Sequence, residues 1–289
     1  MAVTVDSDLT GIARTPTTTL SGSGTVSATL SKNALGLEKD SSGVAINENL
    51  AGVFINQTTT LGQGLVSYWD LNDAANGVRL DKLGSNHLTD NNTVGTNTGP
   101  DSVSNSAADF VAANLEGLTR AGASCTGIDS ITSDFTINAW VYATNASTQK
   151  TIFRKGAGSD VNPGFWLQIA AVGRYACIYG DGSAARKSIT PTGTAVVSLN
   201  TWTMVTVTFD RDGLMSMFIN TGVPTGTSTT SIATQPGNIG TSSMDIGGNG
   251  VSTSFDGRIA RVAFWNRLLS GAEITSLYNG GVGRLYSQL

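Results

Sequence analysis

The stretch Phe255 to Gly281, FDGRIARVAFWNRLLSGAEITSLYNGG, constrains the fold of this chain more than any other. Its first half predicts a long strand. Side chains alternate along a strand, so Ile259, Arg261, Ala263 and Trp265 fall on one face and Ala260, Val262 and Phe264 on the other. Apolar residues on both faces predict a central strand covered on both sides. The second half predicts a short helix. Ser270 followed three residues later by Glu273 has the capping-box spacing, in which the hydroxyl accepts the Glu273 N–H and the carboxylate accepts the Ser270 N–H. Ile274, Leu277 and Tyr278 then share one helix face, and Gly280 and Gly281 supply a left-handed stop.

The rest of the chain agrees with a strand-rich fold. Charged residues are 13% of the 289, and β-branched residues and turn-formers stand where helices would need Ala, Leu, Glu and Lys. The net charge of −4 and the absence of a Lys/Arg cluster argue against nucleic acid as a partner. No run of about 20 apolar residues is present to span a membrane. The opening MAVTVDSDLT has neither a basic nor an apolar region of the kind a secretory signal carries. With Cys125 and Cys177 alone, two reduced, partly buried thiols are expected, and one bridge between them is the alternative.

Residues 1–62 read differently from residues 63–289. They hold no aromatic before Phe54 and too little apolar mass for a core, yet apolar residues recur through a Thr/Ser/Gly-rich, weakly charged text. This pattern predicts an extended arm that gains order by docking on a scaffold or partner, with Leu20, Val26, Leu30, Leu35, Val44 and Ile46 as its anchoring positions. A flexible leader is the alternative. Residues 63–289 then alternate as short strands. Leu65 to Leu71 puts Tyr68 and Trp69 on opposite faces, and Asp134 to Tyr142 puts Phe135, Ile137, Ala139 and Val141 opposite Asn138, Trp140 and Tyr142. Lys150 to Lys155, Gly164 to Ala170 and Arg174 to Gly180 follow as strands between Gly-bearing turns. Trp202 to Asp210 and Leu214 to Asn220, joined through Asp212-Gly213, predict a hairpin.

These segments together resemble the laminin-G-like jelly-roll domains of the concanavalin A-like superfamily. The C-terminal signature of that family is matched by Phe255, Asp256, Gly257, Ile259, Val262, Trp265, Asn266, Arg267, Leu269, Ser270, Glu273, Ile274, Leu277, Tyr278 and Gly281. The first strand Leu65-Val66-Ser67-Tyr68-Trp69, the Asp81–Thr93 and Ala108–Arg120 segments, the Trp202–Asn220 block and Ser243–Gly248 match in order, and the wording is similar to that of bacteriophage members. The resemblance implies an all-β, concanavalin A-like jelly-roll β-sandwich with one short C-terminal helix, preceded here by the extended arm. It also implies a calcium ion held by loop oxygens, for which Asp81, Asp90 and Asn91 are the candidate ligands. Where the family carries an acidic pair in its last strand, this chain has Ala260 and Arg261, and an arginine opposes a divalent cation.

Relatives of this superfamily include glycosidases, which need two carboxylates across the scissile bond. The glutamates here, Glu38, Glu48, Glu116 and Glu273, form no such pattern, and Asp210 and Asp212 flank a hairpin turn. His87, the sole histidine, is expected as a solvated loop residue, and Ser183 lacks a nucleophile's strand–elbow–helix setting. No enzymatic activity and no cofactor are therefore expected. Trp166, Gln168, Tyr175 and Tyr179, on neighbouring strands, are candidates to contact a sugar, with core filling as the alternative for the aromatics.

The expectation from these readings is a structural virion protein, a phage capsid decoration or tail-associated component assembled in the host cytoplasm and displayed on the virion surface. Residues 1–62 would engage a major capsid or tail protein, with the sandwich projecting outward and a homotrimer as one arrangement. The alternative is a carbohydrate-binding adhesion module for cell-surface glycans, and a weaker one a glycoside hydrolase.

Overall fold

The computed structural model describes residues 38–39, 45–46, 60–120, 125–129, 131–156, 162–183, 185–191, 195–240, 242–248 and 253–289. The chain divides into two compact units, Met1–Gln57 and Thr58–Leu289. In the first unit, strand β1 (Glu38–Lys39) pairs antiparallel with β2 (Ala45–Ile46), Glu38 opposite Ile46. The remaining anchoring positions, Leu20, Val26, Leu30, Leu35 and Val44, lie outside the described residues.

The second unit holds β3 (Leu65–Trp69), β4 (Thr89–Asn91), β5 (Gly95–Asn97), β6 (Ala107–Phe110), β7 (Gly117–Arg120), β8 (Phe135–Ala143), β9 (Lys150–Gly156), β10 (Gly164–Ala170), β11 (Arg174–Gly180), β12 (Lys187–Ile189), β13 (Thr203–Phe209), β14 (Met215–Ile219), β15 (Gly226–Thr227), β16 (Met244–Ile246), β17 (Gly257–Trp265) and helix α1 (Gly271–Tyr278). Seven strands form one sheet in the order β12-β11-β10-β9-β16-β7-β4. Eight form the other, β15-β14-β13-β8-β17-β6-β5, with β3 also paired to β17. The two sheets make an antiparallel jelly-roll sandwich, as the sequence resemblance implies.

Between the sheets the inward residues of both meet. Phe135 stacks on Phe209 with ring centroids 4.0 Å apart and on Phe264 at 5.4 Å, and Phe165 and Tyr179 reach them from the seven-stranded sheet. Burying such rings is the largest apolar contribution to a sandwich core. Trp69 lies in this core and Tyr68 in a second one, so the opposite-faced reading of the first strand holds.

The last strand is central, hydrogen-bonded to β8 on one side and to β3 and β6 on the other. Its alternation departs from the expected pattern. A register shift between Ala260 and Ala263 forms a bulge, with Arg261 in left-handed backbone at φ 51°. The extra residue flips the parity beyond it. Ile259, Val262 and Phe264 therefore face the inter-sheet core, while Ala260, Ala263 and Trp265 face away from it. At the start of the strand only glycine fits, because Gly257 has φ 125° and a Cβ there would run into the Tyr142 carbonyl.

The second core covers the outer face of the eight-stranded sheet. Tyr68, Trp140, Met204, Phe218, Ala263 and Trp265 supply the sheet side, and Leu61, Leu269, Ile274 and Leu277 the cover. The capping box forms as expected: the Glu273 N–H donates to Ser270 Oγ at 3.3 Å and the Ser270 N–H to Glu273 Oε2 at 2.8 Å. The left-handed stop begins one residue early, at Asn279 (φ 48°), before Gly280 and Gly281. Asn tolerates this region better than most residues. Tyr278 stacks flat on Trp140, centroids 5.6 Å apart and planes 8° from parallel. Cys125 and Cys177 are both buried thiols, and no described helix is long and apolar enough to cross a membrane.

Candidate functional site

Among the described residues, no helix lies on the outer face of the seven-stranded sheet. Cross-strand register places one residue from each strand in a single transverse row: Thr89, Thr119, Asp245, Arg154, Trp166, Ile178 and Ser188. Their chain neighbours Leu118, Met244, Ile246, Phe153, Phe165, Leu167, Cys177 and Tyr179 all enter the inter-sheet core, which fixes the row on the other side. At its centre the Arg154 guanidinium lies over the Trp166 ring, 5.3 Å from its centroid. Arg154 also donates from Nε (3.1 Å) and Nη2 (2.7 Å) to Asp245 Oδ2. That leaves its Nη1 edge for other acceptors. Burial pushes the Asp245 carboxyl above its ordinary 3.8, while Arg154 and the Thr119 hydroxyl pull it back.

A second row lies alongside. Gln168 stands opposite Thr151 and Ala176, and its Oε1 accepts from Gln149 Nε2. The half-buried Trp166 turns its Nε1 to Thr151 Oγ1 at 3.2 Å. Asp245, Gln168 and Thr151 are buried beneath this face, and the half-buried Trp166, Arg154, Gln149 and Thr119 present an indole, a held guanidinium, an amide and a hydroxyl, groups that suit a polyol ring. The aromatic covers the apolar C–H side of a sugar, and the planar polar groups pair with its hydroxyls.

Of the four sugar-contact candidates, Trp166 and Gln168 share this face. Tyr175 and Tyr179 do not, which corrects the expectation for them. They stand opposite Ile169 and Phe165 on the inward side and are 1% and 0% exposed. Burial lifts the Tyr175 hydroxyl to a pKa of about 12. Arg154, Asp245, Thr119 and Gln149 are absent from the sequence reading. The juxtaposition of Arg154, Asp245 and Thr119 depends on the register of β16 between β9 and β7, and that of Gln149 on its contact with Gln168, which no local pattern encodes.

The candidate metal ligands do not fit a calcium ion. Both oxygens of Asp81 are taken up by the Ser67 hydroxyl and the backbone N–H groups of Tyr68, Leu83, Ser85 and Asn86, at 2.9–3.3 Å. Asp90 pairs with Arg79 and accepts from Asn76 N and Val94 N, and Asn91 points to the outer face and donates to Thr119 Oγ1 at 2.6 Å. At the family's acidic pair, Arg261 instead pairs with Asp101. Among the described residues no group of three His, Cys, Asp or Glu side chains is placed to hold a metal. His87 is also corrected. It is half-buried rather than solvated, and its Nδ1 accepts the Asp81 N–H at 3.0 Å. Glu116 and Glu273 cap backbone: Glu116 accepts Val111 N at 2.7 Å, and Glu273 closes the helix start.

Comparison with known proteins bears on the fold. The receptor binding domain of botulinum neurotoxin mosaic serotype C/D superposes with a TM-score of 0.57 at 16% identity, over 75% of this chain and 51% of that one. Botulinum neurotoxin type C, which depends on interaction with two ganglioside molecules to enter cells, gives 0.55 at 15% identity, over 76% and 52%. The serotype D binding domain gives 0.54 at 17% identity, over 75% and 51%. This chain thus spans about half the length of these structures. No curated protein sequence matches it. Residues 119–275, more than half of the chain, match the Laminin_G_3 family. The chain belongs to that family, within the concanavalin A-like lectin/glucanases superfamily.

Proposed function

We propose that this chain is a non-enzymatic, lectin-like carbohydrate-binding module that adheres to cell-surface glycans through the outer face of its seven-stranded sheet. The observation that carries the reading is the Thr119–Asp245–Arg154–Trp166 row, which sets a half-buried indole and fixed polar groups side by side on a face that no described helix covers. Membership of a lectin-containing superfamily and likeness to receptor-binding domains, one of them from a toxin that interacts with gangliosides, support it. These comparisons favour the glycan reading over the capsid or tail reading, which draws on the arm-plus-sandwich layout of the sequence, its opening without a signal-like region, its lack of paired catalytic carboxylates and its phage-like wording.

Trp166 is the platform and the half-buried Gln149 and Thr119 are the hydroxyl partners, with the buried Gln168 holding Gln149 in place. Arg154 offers its remaining donors to an acceptor such as a ring or carboxylate oxygen. A glycan array probed with the full chain tests the reading. Binding to a defined subset of glycans is expected, and silence across neutral and acidic glycans overturns it.

A further inference from the structure

The segment between β3 and β4 closes around one side chain. Arg79 is fully buried and its backbone bridges Leu88 in both directions at 2.9 Å. Its Nη1 donates to the carbonyls of Asp73 and Ala74, and its Nη2 to those of Val94 (2.6 Å) and Gly95 (3.5 Å) and to Asp90 Oδ2 (3.3 Å). Four main-chain carbonyls and one carboxylate form the oxygen set that a hard divalent cation collects. The loops that present them are bent to do so. Asn76, Asn92 and Thr93 take left-handed backbone at φ 57°, 66° and 66°, a region that is costly for a β-branched residue such as Thr93. Asp90 ties the two loops together, accepting from Asn76 N at 3.0 Å and Val94 N at 2.8 Å.

We infer that the Arg79 guanidinium is the resident cation of this oxygen cage, standing where the donor set would otherwise take a calcium-like ion, and that the fold is in consequence independent of divalent metal. A guanidinium suits the task because it stays charged when buried and spreads its donors in a plane. Its positive charge leaves no room for a second cation beside it. The cage thus explains why Asp90 reads as a metal ligand in the sequence and yet meets a side chain in the structure.

The test is thermal unfolding of the full chain in EDTA and in millimolar calcium. The native protein is expected to melt at the same temperature in both. Arg79→Ala is expected to melt about 10 °C lower in EDTA, because a buried carboxylate and carbonyls lose their partner, and to recover several degrees with calcium. A native protein that loses stability in EDTA overturns the inference, as does an Arg79→Ala protein that ignores calcium. Should that variant not fold, Asp90→Asn decides. It keeps the guanidinium but removes the counter-charge, so its melting temperature is expected to fall by several degrees, equally in EDTA and in calcium. An unchanged melting temperature for Asp90→Asn contradicts the inference.

Discussion

The two outer faces of the sandwich are built from the same kind of strand and end in opposite chemistry. On the eight-stranded sheet, outward Trp140, Trp265, Tyr68 and Phe218 are roofed by α1 and neighbouring residues into a second core. On the seven-stranded sheet the outward positions carry Thr119, Asp245, Arg154, Trp166 and Gln168, and no described helix covers them. An aromatic that is roofed contributes stability. One left half-buried among fixed polar groups remains available to a ligand. The contrast shows architecture on one face, and the other is where we propose binding.

The largest effect is expected on the roofed face. Trp265 is fully buried and its Nε1 donates to the Leu61 carbonyl at 2.7 Å. Trp265→Ala is expected to cost about 3–5 kcal/mol, read by denaturant unfolding, through lost contacts and an unpaired carbonyl. A cost below about 1 kcal/mol would erase the distinction between the faces. Trp166→Ala on the other face is expected to cost about 1–2 kcal/mol, since only a half-buried ring, one cation–π contact and one hydrogen bond are lost. Ser270→Ala removes the cap that seats the roofing helix and is expected to cost about 1 kcal/mol.

A smaller effect concerns pH. Asp70 lies beneath the C-terminal segment, its Oδ1 accepting Tyr286 N at 3.4 Å, and burial raises its carboxyl above 3.8 despite Lys82. The folded state then holds the proton more tightly than the unfolded chain. The carboxyl's contribution to stability is therefore greatest in acid and is lost as the pH rises from 3.8 through the raised value. Asp70→Asn is expected to flatten the stability profile in that window, by at most about 1.4 kcal/mol per pH unit for one proton. A native profile that instead rises there more steeply than the variant's contradicts the assignment.

Much of the fold was legible in the sequence because its signals are local. The Ser270/Glu273 spacing, the alternation from Phe135 to Val141 and the Asp212-Gly213 step each depend on residues close in the chain. The bulge at Arg261 was not legible. Nothing in GRIARVAFW marks which residue is extra, and only its pairing with β8 and with Asp101 settles it. The candidate face was half legible for the same reason. Trp166 and Gln168 follow from alternation within β10, but Asp245 joins Arg154 from a strand 91 residues away, and Tyr175 and Tyr179 resemble sugar platforms until register turns them inward.

We propose that the seven-stranded face binds glycan through Trp166. The measurement that tests it most directly is the affinity of the full chain and of Trp166→Ala for the strongest ligand on a glycan array, with both melting temperatures recorded. At least about tenfold weaker binding by the variant is expected, equivalent to about 1.4 kcal/mol, from a protein that still melts cooperatively within several degrees of the native one. Equal affinity in a folded Trp166→Ala protein would contradict it.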